Sequence, residues 1–495
     1  MNKYSLNNKR IKVYVRVLNN NPSILAVFLI IAIALSQVLQ EKRWNHPEMI
    51  IQSDVTMYYA YLPAAFIYKD ITLNFVSEYE GPYKFKIAYD ITPTGKRMPR
   101  YTIGQSVLYS PFFFLGHLTA KMTKYDASGY TEPYKFFLAI SSLFYVFIGL
   151  LALRKILLKF FPQWVVAATL ILVALGTNLY HYYTCESPMT HAYSFALISC
   201  FILYTDKWHV RPNVKNSLII GIVVALLTLV RPFNILVVLV FILYNVTSFD
   251  SIGKKVGFFL NNSSKILLIL FIVLFLWIPQ FIYWKLCTGH FLYYAYGGPG
   301  GNFYFNNPHI IDGLFSYRKG WFLYNPIMVF AMVGILWLKR YHKNFFVAFL
   351  VFFIVFIYVL FSWWSWWYGG GLSIRTLADI YGLVAFPLAA FLARLGTSRS
   401  LILKVVMGII IIGCLKLGNF YNWQYKKGLI HWDSMTKEAF WFVFGKKHTT
   451  SEYYDLLCKI DPILARKGIY ICTYKYGKYE DMKDQPRKKL KDHPF

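Results

Sequence analysis

The sequence predicts an all-α polytopic membrane protein of about eleven transmembrane helices, and three observations carry that prediction. Hydrophobic residues make up 57% of the 495-residue chain, aromatics 20% and charged residues only 15%. A soluble domain carries about 25% charged residues to cover its surface. Several apolar runs approach the roughly 20 residues that cross about 30 Å of hydrocarbon. The positive charge, finally, falls in short clusters between those runs.

A net charge of +29 raises the question of nucleic acid, but no basic module with interleaved aromatics is visible. The clustering fits the excess of Lys and Arg in cytoplasmic loops and the anionic headgroups they meet, so membrane lipids are the expected partners and nucleic acid is not. The amino terminus is basic (Lys3, Lys9, Arg10, Lys12, Arg16) and leads into the apolar run 23–40. No small-residue cleavage site follows, so residues 1–22 read as the cytoplasmic end of an uncleaved signal anchor.

Further spans are expected at 134–153, 161–179, 189–205, 217–230, 232–246, 265–285, 321–338, 344–362, 377–393 and 402–418. With the amino terminus inside, the cytoplasmic connections are Arg154/Lys155/Lys159, Lys207/Arg211/Lys215, Lys254/Lys255/Lys265, Lys339/Arg340/Lys343 and Arg394/Arg399/Lys404. The opposite connections are almost free of Lys and Arg: 180–188 has none and 363–376 has only Arg375. The run 104–120 is apolar but short, and contains Gly104, Pro111, Gly116 and His117. Counted as a span, it would reverse every later loop, so it reads as an interfacial helix on the outer leaflet. A long first extracytoplasmic loop, 41–133, results. Helix parity places the tail, 419–495, outside despite its fifteen Lys and Arg. Six scattered cysteines show no metal-binding spacing; Cys458 and Cys472 could pair if the tail is extracytoplasmic, and free thiols are an equal reading.

Ionisable groups beside hydrocarbon are costly and need a partner or a purpose. Asp54 stands in SDVTMYYAYLP (53–63), just after the first span, with Tyr58 and Tyr59 on a short amphipathic helix. A helix cap is the plain reading of Ser53 or Asp54; a catalytic carboxylate is the functional one. Glu186 and His191 lie in TCESPMTHAYSF (184–195), a connection with no Lys or Arg to neutralise the acid. Lys96, Arg97 and Arg100 precede the interfacial helix, and Arg231, Arg318 and Arg375 stand at or near the ends of spans. Such cations suit a phosphate, and they also suit generic headgroup contact. Trp367 and Tyr368 in SWWSWWYGGG, and the aromatics of FLYYAYGGPGGNFYF (291–305), fit sugar stacking or an interfacial belt equally.

A carboxylate, several cations and many aromatics on the outer face would suit transfer from a membrane-borne donor. Nucleotide-activated donors are scarce on that side. The order of SDVTMYYAYLP, KRMPRYTIGQSVLYSPF, ESPMTHAYSF, TLVRPFN, GLFSYRKGWFLYNP and WWYGGGLSIRTLAD resembles the GT-C superfamily of polyprenyl-phosphate-dependent glycosyltransferases, across residues 23–393. That superfamily includes protein mannosyltransferases and aminoarabinose transferases. The resemblance implies a GT-C-like transmembrane domain over 23–418 in the plasma membrane, with its site on the extracytoplasmic side. Asp54 would be the base that activates the acceptor. Arg100 and Lys96 match the basic position that contacts lipid phosphate, and Arg231, Arg318 and Arg375 join them as donor-binding candidates. Tyr58, Tyr59, Glu186, His191, Trp367 and Tyr368 are the substrate-binding candidates. The partners would be a polyprenyl-phosphate-linked sugar and an acceptor protein, lipid or glycan. The chain departs from the family pattern: the first loop has one acid in place of a pair, RYTIGQSVLYSPF replaces the KPPLxYW-like motif, and no WWD-type motif is present. A divalent cation is left open and no other cofactor is expected. The competing reading is a transporter or flippase of a lipid-linked glycan, against which stand the absence of duplicated halves and the placement of the acids at helix ends.

Overall fold

The computed structural model describes residues 21–77, 86–295 and 302–475. The amino-terminal basic segment lies almost entirely outside them, as does the glycine run of 296–301. Twenty α-helices follow in chain order among the described residues. They are α1 Pro22–Glu41, α2 Asp54–Phe66, α3 Gly104–Met122, α4 Glu132–Leu157, α5 Gln163–Leu175, α6 Leu179–Thr184, α7 Thr190–Val210 and α8 Val214–Val230. After them come α9 Val238–Leu243, α10 Asp250–Asn261, α11 Ser263–Thr288, α12 Ile310–Phe315, α13 Trp321–Tyr324, α14 Ile327–Tyr341, α15 Lys343–Phe361 and α16 Tyr381–Gly396. The last are α17 Leu401–Lys426, α18 Lys437–Val443, α19 Ser451–Asp455 and α20 Pro462–Ala465. Two small antiparallel hairpins complete the described chain: β1 (Asp90–Ile91) with β2 (Arg97–Met98), and β3 (Cys458–Ile460) with β4 (Cys472–Lys475).

Every apolar run expected to span falls on helix. Six segments are long and apolar enough to cross a membrane: Pro22–Asn45, Glu132–Leu157, Ser263–Thr288, Lys343–Phe361, Arg375–Gly396 and Leu401–Lys426. Of the remaining runs, 189–205 lies on the unbroken 21-residue α7, and the others are shorter or broken. The run 232–246 opens as a 3-10 turn over Pro232–Val237, and 321–338 breaks at Asn325 and Pro326, where Pro326 supplies no backbone donor. Arg375–Gly396 is the centre of the bundle, buried along its whole apolar window. α16 packs on α14, α4 on α7, α8 on α11, and α3 on α4. α11 and α17 stay mostly exposed, as lipid-facing helices would.

The helix expected to stop at 418 runs on to Lys426. Asn419, Tyr421, Asn422 and Tyr425 dilute the hydropathy, yet they are held by the bundle: Asn419 Nδ2 donates to the Leu175 carbonyl at 3.0 Å and Tyr425 is buried. The tail therefore begins eight residues later than the composition suggested, and packs as a small module around Tyr453, Phe440 and Leu429. Cys458 and Cys472 form a disulfide across the second hairpin.

The bundle has two chemically distinct ends. At one, Arg154 Nε donates to Ser23 Oγ at 2.7 Å, Lys159 pairs with Asp206, and the Tyr244 hydroxyl donates to Asp206 at 2.8 Å. These are the basic connections of the sequence. At the other end of α1, about 30 Å away at 1.5 Å per residue, Glu41 pairs with Lys426. The acids and arginines described next gather at that end.

Candidate functional site

α2 begins at Asp54 and follows Ser53, whose backbone is left-handed (φ 48°). That conformation is strained for a residue other than glycine. Ser53 makes no side-chain cap, and the Asp54 carboxylate bonds to groups outside its own helix. Oδ2 lies 3.0 Å from Arg375 Nη1, and Oδ1 accepts the Tyr101 hydroxyl at 2.9 Å. Helix capping therefore does not account for Asp54. Burial pushes its carboxyl up, but the Arg375 charge and the Tyr101 hydrogen bond outweigh that and hold it below the ordinary carboxylate value.

Asp54 and Arg375 share a cavity of about 280 Å³ with Glu186, His181, Ser53, Gly370, Gly371, Trp432, Tyr425, Lys426 and Arg43. Glu186 occupies the connection between α6 and α7, where Oε1 lies 3.3 Å from His181 Nε2 and accepts the Tyr425 hydroxyl at 3.1 Å. Burial would raise Glu186, yet the neighbouring His181 charge draws it down to about 2. Burial would lower His181, and the Glu186 carboxylate instead lifts it to about 9.

Beneath the cavity is a second ion pair. Arg231, at the end of α8, donates to Asp379 Oδ2 at 3.0 Å, and His191 Nδ1 lies 2.7 Å from Asp379 Oδ1. Arg231 stands close enough for its charge to reach Asp54. Each guanidinium is thus committed to its own acid, Arg375 to Asp54 and Arg231 to Asp379. Tyr58 packs against Tyr101, ring centroids 4.3 Å apart and the rings tilted by 30°, and so steadies the ring whose hydroxyl binds Asp54.

The glycine run shapes the cavity wall. Gly371 has φ 142° and its amide donates to the Trp432 carbonyl at 3.1 Å; a side chain on Gly370 would meet the Trp432 ring at 3.0 Å. Lys319 is buried behind this wall and donates to the carbonyls of Gly371 and, at 2.6 Å, of Trp432. Burial pushes its ammonium down to about 7.

Other expected site residues lie elsewhere. Arg100 makes a two-pronged bond with Asp90, at 2.7 and 2.9 Å, on the first hairpin. Lys96 donates to the Leu286 carbonyl at 2.7 Å, at the end of α11. Arg318 donates to the carbonyls of Asp433 and Cys458, so it fastens the tail. Trp367 Nε1 donates to Asp433 Oδ1 at 2.8 Å and its ring covers Arg318. The hydroxyl of Tyr59 donates to the Gly129 carbonyl and that of Tyr368 to the Leu360 carbonyl. None of these six lines the cavity, and neither do Tyr58, His191 and Arg231, which pack beside it. Asp379, Tyr101, His181 and Tyr425 were not anticipated. Asp379 left a signal, an acid inside an apolar run four residues after Arg375; the tyrosines left none among forty. Among the described residues no group of three or more His, Cys, Asp or Glu side chains is placed to hold a metal ion, and Asp54 and Glu186 are each committed to a cationic neighbour.

The fold and this cavity define a helical protein with six segments able to cross a membrane and a charged chamber at one end. No protein-family model matches the chain, and comparison with curated proteins finds no match.

Proposed function

We propose that the protein is a membrane glycosyltransferase that moves a sugar from a polyprenyl-phosphate donor to an acceptor hydroxyl on the extracytoplasmic face. The observation that carries the reading is the Asp54–Arg375 pair in a charged cavity at one end of a helical bundle, with the Arg231–Asp379 pair near enough for its charge to act on Asp54. In this reading all eleven apolar runs cross the bilayer, and α2 and α3 lie along its outer leaflet. The basic connections gather at the opposite end, which supports an outward-facing cavity. So does the Cys458–Cys472 disulfide, which belongs to an oxidising compartment and stands on the cavity's side.

The chemistry follows from the two ion pairs. A carboxylate held below its usual range by a guanidinium is a feeble base. The donor's phosphate competes for Arg375 as a bidentate anion, and Arg231 is within reach to share it. Asp54, relieved of its partner, accepts the proton of the acceptor hydroxyl as that oxygen attacks the anomeric carbon. The bond from that carbon to the phosphate oxygen breaks, its electron pair leaves with the phosphate, and the anomeric configuration inverts. The guanidinium groups hold the developing negative charge.

The test is Asp54→Asn in proteoliposomes supplied with a polyprenyl-phosphate sugar. Transfer should fall about 10²- to 10⁴-fold, the usual yield of a general base. Donor affinity should rise, because Arg375 loses its competitor. Full activity, or a parallel loss of donor binding, would remove Asp54 from the role of base.

A further inference from the structure

A second opening adjoins the charged cavity. It is a lateral groove of about 650 Å³ lined by Ala32, Ile33, Ser36, Gln37, Gln40 and Glu41 of α1, with Tyr180 and Lys426 opposite. These α1 positions recur at helical spacing on one side of the helix. At 1.5 Å per residue, Ala32 to Glu41 covers about 13 Å, close to the depth of one leaflet of a roughly 30 Å hydrocarbon layer. The lining is graded. Ala32 and Ile33 are apolar and exposed; Ser36, Gln37 and Gln40 follow; Glu41 and Lys426 close the top with an ion pair.

The polar stretch is tied to the wall of the cavity. The Tyr180 hydroxyl donates to Gln37 Oε1 at 2.5 Å, and Gln37 Nε2 donates to Glu41 at 2.9 Å and to Cys185 Sγ at 3.1 Å. Cys185 immediately precedes Glu186, and Lys426 lines both openings. The Glu41–Lys426 pair is therefore the partition between a lipid-facing groove and the charged chamber.

We propose that this groove seats the chain of an anionic lipid, a polyprenyl monophosphate or its sugar ester, and that Lys426 exchanges Glu41 for the lipid's phosphate and hands it to Arg375. The inference rests on the transfer reading and adds to it the path by which the donor enters. Charge complementarity, the one-leaflet depth and continuity with the chamber select this occupant. Exchange of one carboxylate for one phosphate oxygen leaves the Lys426 ammonium paired throughout, so the head never crosses hydrocarbon unneutralised.

The full-length protein is placed in phosphatidylcholine nanodiscs doped with a polyprenyl monophosphate or, separately, with phosphatidylglycerol. A benzophenone amino acid is introduced at Ile33 or at Leu35, which are 40% and 36% exposed. The two lie about 200° apart around the helix, so only Ile33 faces the groove. Photolysis should give the polyprenyl adduct chiefly at Ile33, with no comparable enrichment of phosphatidylglycerol. Lys426→Gln should lower that adduct about tenfold, the loss of one charge-assisted hydrogen bond. Glu41→Gln, which frees Lys426, should raise it. Equal labelling at Ile33 and Leu35, equal capture of phosphatidylglycerol, or indifference to both substitutions overturns the proposal. A chain that captures the lipid at Ile33 but transfers no sugar refutes the transferase reading alone. One that transfers sugar without that capture refutes the groove alone.

Discussion

Asp54 and Arg231 illustrate how little charge is left unassigned at the chamber: each meets a partner of opposite sign at 3.0 Å. Removing one partner therefore affects stability and, in the transferase reading, donor binding as well. Arg231→Ala leaves Asp379, almost wholly buried, without its guanidinium, a change worth about 3–5 kcal/mol of stability. The double substitution Arg231→Ala with Asp379→Asn should recover much of the melting temperature while donor affinity stays weak. Recovery of both would make Arg231 structural. The Glu186–His181 pair yields a pH signature. Glu186, lowered to about 2, adds stability that is present above its ordinary 4.5 and lost as pH falls toward 2. His181, raised to about 9, adds stability that is full below its ordinary 6.5 and lost as pH rises toward 9. The pair's contribution is thus greatest between pH 4.5 and 6.5. Melting curves against pH should show that plateau, and Glu186→Gln should flatten it; an unchanged profile would deny the pair its weight. At this scale Asp54, Glu186 and Arg375, which line the cavity, stood out in the sequence, because an ionisable group at a helix end near hydrocarbon is conspicuous in a chain with 15% charge. Which acid pairs with which arginine was not legible. Arg375 and Asp54 are far apart in sequence, and only the fold brings the start of α2 to the turn before α16.

The helices hold these groups in register through close backbone approach. Gly104, the first residue of α3, is the sharpest case: a methyl group there would lie 2.3 Å from the Leu229 carbonyl carbon, two residues before Arg231. Gly104→Ala must push α3 away from the end of α8. The expected result is a loss of about 1–3 kcal/mol, as for other overpacked contacts, with weaker donor binding. Gly408→Ala is the control, since nothing lies within 4 Å of that position. A Gly104→Ala protein as stable and as active as the control would show that this contact does not position Arg231. Composition revealed where helices lie, because a run of apolar residues is a statement about solvent. It did not reveal where they end. α17 outlasts its hydropathy by eight residues, since Asn419 and Asn422 find carbonyl partners instead of water. Nor did it separate cavity from scaffold among the aromatics: Trp367 and Tyr59 spend their polar atoms on Asp433 and Gly129, contacts set by the tail and by the first loop.

For the whole molecule, the claim is one of polarity. Basic connections, Asp206 and His342 occupy one end; Asp54, Glu186, the two site arginines and the disulfide-closed tail occupy the other. The alternation of charge along the sequence agrees with that division, whereas the tail's own positive charge pointed the other way and its internal packing left no signal. The polarity gives the transferase and flippase readings opposite outcomes in the cell. The decisive measurement is mass spectrometry of glycans and lipid-linked intermediates in cells lacking the protein, complemented by the native chain or by Asp54→Asn. The account predicts that a polyprenyl-phosphate sugar accumulates in the outer leaflet and its glycan product disappears, with only the native chain restoring both. Donor retained in the inner leaflet, or full restoration by Asp54→Asn, would contradict it.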